Sequence, residues 1–232
     1  MKNYLIIGGS SGIGKAIAQQ LASEGNQVYA TFHTNEPDHS PENTTYCSFE
    51  VGKETLDEST LPEIIDGFVY CPGSINLMPF GRIKPEDFKM DFNLQVIGAI
   101  ETLQQVLPRL KKATQASVVF FSTVAVQTGF NFHTQVAVSK GAIEGLTRSL
   151  AAEFAPKIRC NAIAPSLTDT RLAEKLVSTP EKKEANAQRH PLKKIGEPED
   201  IANLACFLLS EKSNWLTGQI IALDGGMSSI RL

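Results

Sequence analysis

The sequence lacks any long apolar run: no stretch approaches the roughly 20 residues that a membrane-spanning helix needs. It also lacks an excess of charge, since 22 lysines and arginines stand against 25 aspartates and glutamates, a formal net charge of −3. No basic surface for nucleic acid or an anionic membrane is therefore expected. The amino terminus enters an apolar strand and a glycine turn almost at once, unlike a signal peptide. These absences predict a cytoplasmic protein that binds neither nucleic acid nor membranes.

Cysteine is scarce as well. Cys47, Cys71, Cys160 and Cys206 lie far apart, and no two of them form a C-x-x-C pair. This spacing argues against a zinc site and against a disulfide framework. We therefore expect four free, buried thiols and no metal site.

A glycine turn near the amino terminus is the most informative stretch. Residues 4–7 form a short apolar run typical of a buried strand, and a helix with apolar residues one turn apart opens at Lys15. Between them, backbone N–H groups and the positive end of the helix can face a phosphate. An ordinary glycine turn without a ligand is the alternative. The predicted phosphate contacts are Gly8, Ser10, Ser11, Gly12, Ile13 and Gly14.

Strand-like and helix-like segments alternate along the rest of the chain, which predicts a parallel sheet covered on both faces. The predicted strands cover residues 4–7, 27–31, 45–49, 68–71, 117–121, 158–164 and 219–223. Helical periodicity follows the glycine turn up to Gly25 and recurs at 87–90, 94–110 and 136–154. The segment 52–66 is short and is broken by Pro62, so at most a stunted helix fits there.

The tip of the second strand bears on the choice of nucleotide. In dinucleotide folds, an acidic residue there binds the ribose 2′-hydroxyl of NAD. Here His33, Thr34 and Asn35 stand in its place, and they could donate to a 2′-phosphate, which favours NADP. His33 as a plain exposed loop histidine is the alternative. Glu50 and Val51, at the end of the third strand, form a plausible edge for adenine.

One long segment, residues 168–195, lies outside the alternation. It is charged, and prolines at 180 and 191 interrupt it. It follows the carboxyl end of a strand, where ligands bind in open α/β sheets. We interpret it as a substrate lid, with a solvated excursion as the alternative.

Several stretches together resemble the signatures of one family, the short-chain dehydrogenase/reductases. They are the turn 7–14, similar to T-G-x-x-x-G-x-G with Ile7 replacing threonine; Asn93-Leu94; Ser122-Thr123-Val124; Ser139-Lys140; the run 159–165, similar to R-x-N-x-I-x-P-G with Ser166 replacing the final glycine; and 196–202 and 216–226. The resemblance covers nearly the whole chain.

This resemblance implies one Rossmann domain over residues 1–232, with a doubly wound, seven-stranded parallel sheet in the order 3-2-1-4-5-6-7. It implies hydride transfer between a nicotinamide, NADP(H) or NAD(H), and a small carbonyl or alcohol. A homodimer or homotetramer paired through helices 94–110 and 136–154 is also implied. Outside the glycine turn, the predicted cofactor contacts are His33, Thr34, Glu50, Val51, Cys71, Gly73, Lys140, Pro165, Thr168 and Thr170.

The family's catalytic pattern is only partly present. By resemblance, Asn93 would hold a water, Thr123 would orient the substrate oxygen, and Lys140 would bind the nicotinamide ribose. The family's acid is a tyrosine four residues before the lysine, but Val136 stands there. The sequence has only four tyrosines, all in its first third: Tyr4, Tyr29, Tyr46 and Tyr70.

Three other proton sources are possible: His133, Tyr70, and a water ordered by Thr123 and Lys140. His133 could equally be a loop or interface histidine. Two functions stay open at this point. One is an oxidoreductase with a relocated acid, and the other is a catalytically silent sensor or scaffold that binds NAD(P) on the same fold.

Overall fold

A computed structural model describes residues 1–34, 36–37 and 40–231 of the chain. The predicted phosphate donor Asn35 therefore lies outside the described residues. The described residues contain seven strands, and each of them starts within one residue of its predicted position. They are β1 (Asn3–Ile7), β2 (Gln27–Phe32), β3 (Thr44–Ser48), β4 (Gly67–Tyr70), β5 (Ala116–Phe121), β6 (Ile158–Pro165) and β7 (Ile220–Leu223).

The seven strands form one sheet in the order β3-β2-β1-β4-β5-β6-β7, and every neighbouring pair is parallel. The predicted fold is confirmed. Because all strands run the same way, their carboxyl ends share one edge of the sheet. The order reverses between β1 and β4, which is where open α/β sheets bind ligands.

Helices connect the strands and cover both faces of the sheet. They are α1 (Gly12–Ser23), α2 (Pro85–Phe92), α3 (Gly98–Lys112), α4 (Ala125–Thr128), α5 (Thr134–Phe154), α6 (Glu174–Val177), α7 (Pro180–Ala187) and α8 (Pro198–Leu209). A π-helical turn, Asn93–Ile97, joins α2 to α3 without a break. The segment 52–66 holds only a 3-10 turn, Glu58–Thr60, as its composition predicted.

Helix α8 has no counterpart among the predicted helices, although its start carries a recognisable signal. Pro198 occupies the first helical turn, and Asp200 accepts a hydrogen bond from the backbone N–H of Glu197 to close a capping box. The helix buries an apolar stripe that includes Ile201, Ala205 and Leu208. Those residues pack with α1 against the sheet.

Alternate residues of each strand supply two apolar layers, as a sheet buried on both faces requires. Leu5, Phe68 and Phe120 face one layer, beneath α3 and α5. Ile6 and Val69 face the other layer, beneath α1 and α8. All five side chains are almost fully buried, and burying each stabilises the fold by about 1.5–3 kcal/mol. The sheet edge that carries the ligand site is therefore rigidly supported.

Within the described residues, no helix combines the length and the apolar character needed to cross a bilayer. All four cysteines are free thiols, as the sequence predicted. Cys160 and Cys206 are buried as expected, but the expectation of burial is wrong for Cys47 and Cys71, which are partly exposed because Cys47 lies on the outer strand β3 and Cys71 lines a cavity at the carboxyl edge of the sheet.

Candidate active site

Two adjoining cavities occupy the carboxyl edge of the sheet. The first, of about 620 Å³, lies over β1–β4 and is here named the nucleotide cavity. Most of the predicted cofactor contacts line it: Gly8, Ser10, Ser11, Gly12, Ile13, Gly14, His33, Thr34, Glu50, Val51, Cys71, Gly73 and Thr170. The second, of about 250 Å³, lies over β5 and β6 and is named the reaction cavity. It holds the remaining contacts, Lys140, Pro165 and Thr168.

The glycine turn has the backbone geometry that a phosphate site needs. Gly8 and Gly12 have positive φ angles of 75° and 49°, a backbone conformation that is strained for any residue with a side chain. A Cβ on Gly14 would lie 2.2 Å from the carbonyl oxygen of Gly8, so only glycine lets α1 approach the strand end. Ser11 caps α1 without a side-chain hydrogen bond, which leaves the first-turn N–H groups for a ligand.

The far end of the nucleotide cavity carries one carboxylate, that of Glu50. Lys53 lies 2.7 Å from it, and Nε2 of His33 lies 3.5 Å from it. The hydrogen bond from Lys53 lowers the pKa of Glu50, and its charge and that of His33 act the same way. The Lys53 ammonium therefore offsets the charge of this carboxylate, and the His33 ring lies against its other oxygen.

The reaction cavity is mostly apolar. Phe121, Phe130, Val136 and Leu176 contribute to its wall, while Thr123, His133 and Lys140 bring polar groups into it. No tyrosine and no carboxylate are found among its described lining residues. Val136, 6% exposed, lies one helical turn before Lys140 on α5 and supplies no proton.

Lys140 lies at the boundary of the two cavities, beside Gly73 and Cys71. Burial lowers its pKa to about 8, and the negative charge of Asp91 partly opposes that shift. Burial also raises the pKa of Cys71 to about 12, so its thiol is protonated at neutral pH. Among the described residues, no group accepts a hydrogen bond from the Lys140 ammonium. That ammonium is free for a ligand.

A buried carboxylate, Asp91 on α2, organises the floor beneath Lys140. It accepts hydrogen bonds from Ser139 Oγ at 2.5 Å, from Gln95 Nε2 at 2.7 Å and from Ser74 Oγ. Asp91 is 4% exposed, so its charge depends on these donors and on the nearby lysine. Sequence reasoning missed this residue, because nothing local marks an acidic residue of an exposed helix face as buried.

The structure does not bring Asn93 to the site, contrary to the expectation from the motif. Asn93 is exposed and lines neither cavity, whereas Gln95 is 1% exposed and lines the reaction cavity. The π-helical turn that starts at Asn93 accounts for the difference, because its extra residue rotates the positions that follow. The motif alone gave no sign of that turn.

The Gln95 side chain also shows an unmet hydrogen-bonding need. Its Oε1 is buried and has no partner among the described residues. It lies 3.2 Å from where a Cβ on Gly73 would stand, and Lys140 Nζ lies 3.8 Å from the same point. A buried orphan acceptor beside a free ammonium and a glycine fits the hydroxyl groups of a ribose. Together with the glycine cradle, these residues fit a dinucleotide.

Of the two neighbouring hydroxyls at the end of β5, Thr123 is the one available to a substrate. Ser122 is buried, and its Oγ donates to Glu144 at 2.8 Å. Thr123 Oγ1 accepts from the N–H of Ala125 at 3.3 Å, which leaves its own proton for the cavity. This supports the prediction that Thr123 takes the serine's place.

The alternative proton sources differ sharply in position. Tyr70 is 3% exposed and donates to the carbonyl oxygen of Leu94 at 2.6 Å; burial raises its pKa, so it is removed from the chemistry. His133 lines the reaction cavity, and its Nδ1 donates to the carbonyl oxygen of Asn131 at 2.8 Å. Its ring packs edge-on against Phe130.

The segment 168–195 closes over the reaction cavity from one side. Its two ends are joined, because Asp169 N donates to Gly196 O at 2.8 Å and Thr168 pairs with Gly196. Lys183 on α7 binds Asp169 at 2.5 Å. The segment contributes these residues to the wall of the reaction cavity: Thr168, Thr170, Leu172, Ala173, Leu176, Asn186, Arg189 and His190.

Comparison with known proteins agrees with this architecture. A family model described as enoyl-(acyl carrier protein) reductase matches residues 8–228. The chain is similar to the 3-oxoacyl-[acyl-carrier-protein] reductase FabG of Thermotoga maritima, with 34% identity over 97% of each chain.

Solved structures agree over the whole chain. A short chain dehydrogenase family protein from Francisella tularensis superposes with a TM-score of 0.86 and 27% identity, covering 99% of this chain and all of that one. The structure of ElxO with NADP bound gives a TM-score of 0.87 and 26% identity over 99% of each chain.

Proposed function

The chain belongs to the short-chain dehydrogenase/reductase family, a family of nicotinamide-dependent oxidoreductases, and from that premise we propose that it is an NADP(H)-linked reductase of a small carbonyl compound. One observation carries the proposal. Cys71 and Gly73 line both cavities, and Lys140 lies beside them with an ammonium that no described group binds. A dinucleotide whose phosphates bind at the glycine turn would therefore reach into the reaction cavity, where Thr123 lies.

Each residue then has a distinct task. A nicotinamide bound at this boundary would supply or accept the hydride. Lys140 donates to the ribose hydroxyls, and the orphan Oε1 of Gln95 accepts from them. Thr123 donates a hydrogen bond to the substrate oxygen and so fixes its position, while the apolar wall around Val136 excludes water.

The wall chemistry suggests which substrates fit. Lys140 and Arg189 are cations on the lining, and no described carboxylate faces the cavity. A compact uncharged or anionic carbonyl compound is therefore favoured over a cationic one.

The preference for NADP over NAD is part of the proposal. His33 and Thr34 line the cavity where an NAD enzyme of this fold usually carries an acidic residue. The charge of Glu50 nearby is offset by Lys53. NADP in the similar structure of ElxO supports the same choice.

Val136 is proposed to replace the family's acid tyrosine, so the proton must come from another group. Losing a positioned acid typically costs ~10²- to 10⁴-fold in rate, and orientation by Lys140 and Thr123 remains. The alternative is a catalytically silent NAD(P)-binding sensor or scaffold, and the apolar side chain of Val136 is the observation that favours it.

Assembly and setting complete the proposal. We take the chain to be one domain, with 168–195 as its substrate lid, in the cytoplasm. Pairing through α3 and α5 into a homodimer or homotetramer fits the surface of α5, where Val138 is 51% exposed and Gly145 faces open space.

A binding titration of NADPH and NADH, run beside a turnover screen over uncharged, anionic and cationic ketones and aldehydes, tests the proposal. We expect tighter binding of NADPH, turnover of uncharged or anionic carbonyls, and loss of turnover in Lys140→Met. Binding of NADPH without turnover of any compound would indicate the sensor, and binding of neither nucleotide would contradict both functions.

A further inference from the structure

A serine–histidine pair lies inside the reaction cavity and has no part in the roles assigned so far. Ser166 directly follows β6, and His190 lies at the end of the lid. Ser166 Oγ and His190 Nε2 are 2.8 Å apart, and both residues line the cavity. Met227 Sδ, a much weaker acceptor, lies 3.1 Å from the same oxygen.

The histidine is held in one orientation and one tautomer. His190 Nδ1 lies 2.9 Å from the carbonyl oxygen of Asn186, and a carbonyl oxygen can only accept, so Nδ1 carries a hydrogen. In the neutral ring Nε2 is then bare, and the Ser166 hydroxyl donates to it. The Ser166 hydroxyl is thus paired with a base, His190, and the Asn186 carbonyl oxygen orients that base. Activated hydroxyl groups generally have this arrangement. With 2% exposure, the ring has little freedom to turn away.

Ser166 also stands next to the residue that would hold the substrate oxygen. Val124 N donates to Pro165 O at 3.3 Å, and Ser122 N donates to Ile163 O at 2.7 Å. The carboxyl ends of β5 and β6 are thus joined side by side. This joining places Thr123 and Ser166 on neighbouring strand ends that open into one cavity.

We propose that Ser166 and His190 form a proton relay that supplies the proton which the family's tyrosine would have given. The inference rests on the proposed reductase function. In reduction, the electron pair of the carbonyl π bond moves onto the substrate oxygen, which takes the proton of Ser166 Oγ. Imidazolium His190 returns a proton from Nε2 to Oγ and becomes neutral. In oxidation each transfer runs backwards, and neutral His190 collects the proton of the alcohol.

His190 also borders a third cavity, through which the relay can exchange protons with solvent. This cavity has a volume of about 200 Å³, and Lys194, Asp200 and Asp224 also line it. Burial raises the pKa of Asp224, but hydrogen bonds from Ser228 and Gly226 and the charge of His190 outweigh burial and lower it. Lys194 is paired with Asp200 at 3.5 Å, and Arg189 precedes His190 in the chain.

The relay predicts specific losses. Ser166→Ala and His190→Gln should each lower kcat for reduction ~10²-fold or more, with NADPH affinity within about threefold of wild type. Ser117→Ala is the matched control, because Ser117 is a buried serine of β5 that lies outside both cavities. The variant removes a hydroxyl that donates to the carbonyl oxygen of Leu208 at 2.8 Å.

A measurement without substrate keeps the relay testable if no turnover is found. The four histidines can be labelled with 15N, and the His190 signals assigned by their loss in His190→Gln. The relay requires the Nδ1–H tautomer in neutral wild type and a shifted His190 titration in Ser166→Ala. An Nε2–H tautomer or an unchanged titration would overturn it. So would wild-type kcat in Ser166→Ala of an active enzyme. NADPH binding without turnover, with the expected tautomer and shift, would refute the reductase function but not the pairing.

Discussion

The two cavities follow the family pattern to very different degrees. In the nucleotide cavity, the glycine turn, the tip of β2 and the end of β3 lie where the motifs placed them. In the reaction cavity, Val136, Gln95 and Ser166 line the wall, and we propose that they take the places of the family's tyrosine, asparagine and glycine. Asp91 and His190 add two groups that the motifs did not indicate.

The difference reflects what each cavity uses for recognition. Phosphate binding depends on backbone N–H groups and on glycines that permit close approach, so it leaves little room for substitution. Proton transfer needs only a group of suitable pKa within reach of the substrate oxygen, and several side chains can meet that need. One half of the site is therefore fixed by backbone geometry, while the other is defined by side chains.

The largest expected effect falls on the nucleotide cavity. In Gly14→Ala the new Cβ would meet the Gly8 carbonyl at 2.2 Å and push α1 away from the strand end. We expect NADPH affinity to fall ~100-fold or more, because the backbone N–H groups of the first turn of α1 would no longer point at the phosphate. Calorimetric titration of NADPH measures the loss.

Gly145→Ala is the matched control for that change. It adds the same methyl group to an exposed helical glycine with no atom within 4 Å. Its affinity should equal that of wild type, and helix propensity should leave its stability equal or higher. Equal affinities in both variants would mean that the turn does not bind the nucleotide.

A smaller effect is expected from the floor of the reaction cavity. Asp91→Asn removes the charge that Ser139, Gln95 and Ser74 hydrogen-bond, and leaves buried donors poorly matched. We expect a loss of about 1–3 kcal/mol in the free energy of unfolding and ~10-fold in kcat. Urea unfolding and steady-state kinetics measure the two. Full activity would show that Lys140 is positioned without Asp91.

Nucleotide choice should change by about tenfold with His33→Asp. A carboxylate at the tip of β2 repels a 2′-phosphate and can accept from a ribose 2′-hydroxyl. The ratio of NADPH to NADH affinity should therefore fall by about a factor of 10. Titration of both nucleotides checks this, with His33→Asn as the uncharged control. An unchanged ratio would place the discrimination elsewhere.

The smallest effect concerns pH. Lys140 is an ammonium below its pKa of about 8, and only the ammonium donates fully to ribose hydroxyls. NADPH affinity should weaken a few-fold as pH rises through that value, and Lys140→Met should show no such step. Because the pKa in the fold lies below that of the unfolded chain, the Lys140 contribution to stability rises between about pH 8 and 10.5. A step of equal size in Lys140→Met would assign it to another group.

The sequence was sufficient for the fold and for the nucleotide cavity because both depend on local patterns. Apolar periodicity places strands and helices, and the glycine spacing between residues 8 and 14 identifies the turn. Helix α8 was missed even though its capping box and apolar stripe were visible in the sequence.

The reaction cavity was less accessible to sequence reasoning because it depends on contacts between distant segments. A π-helical turn moved the expected position from Asn93 to Gln95, and no local signal announced it. His190 contacts Ser166 although the two residues are 24 positions apart in the sequence. Such pairings become visible only once the strand ends have been brought together.

The account's central claim is that hydride transfer proceeds in a site whose acid tyrosine has been replaced by Val136. Single-turnover transfer of deuterium from 4-deuterated NADPH to a carbonyl panel, read by mass spectrometry of the alcohol, tests it most directly. We predict deuterium on the former carbonyl carbon of at least one uncharged or anionic product, with transfer strongly slowed in Lys140→Met. Tight NADPH binding with no deuterium in any product would contradict the claim.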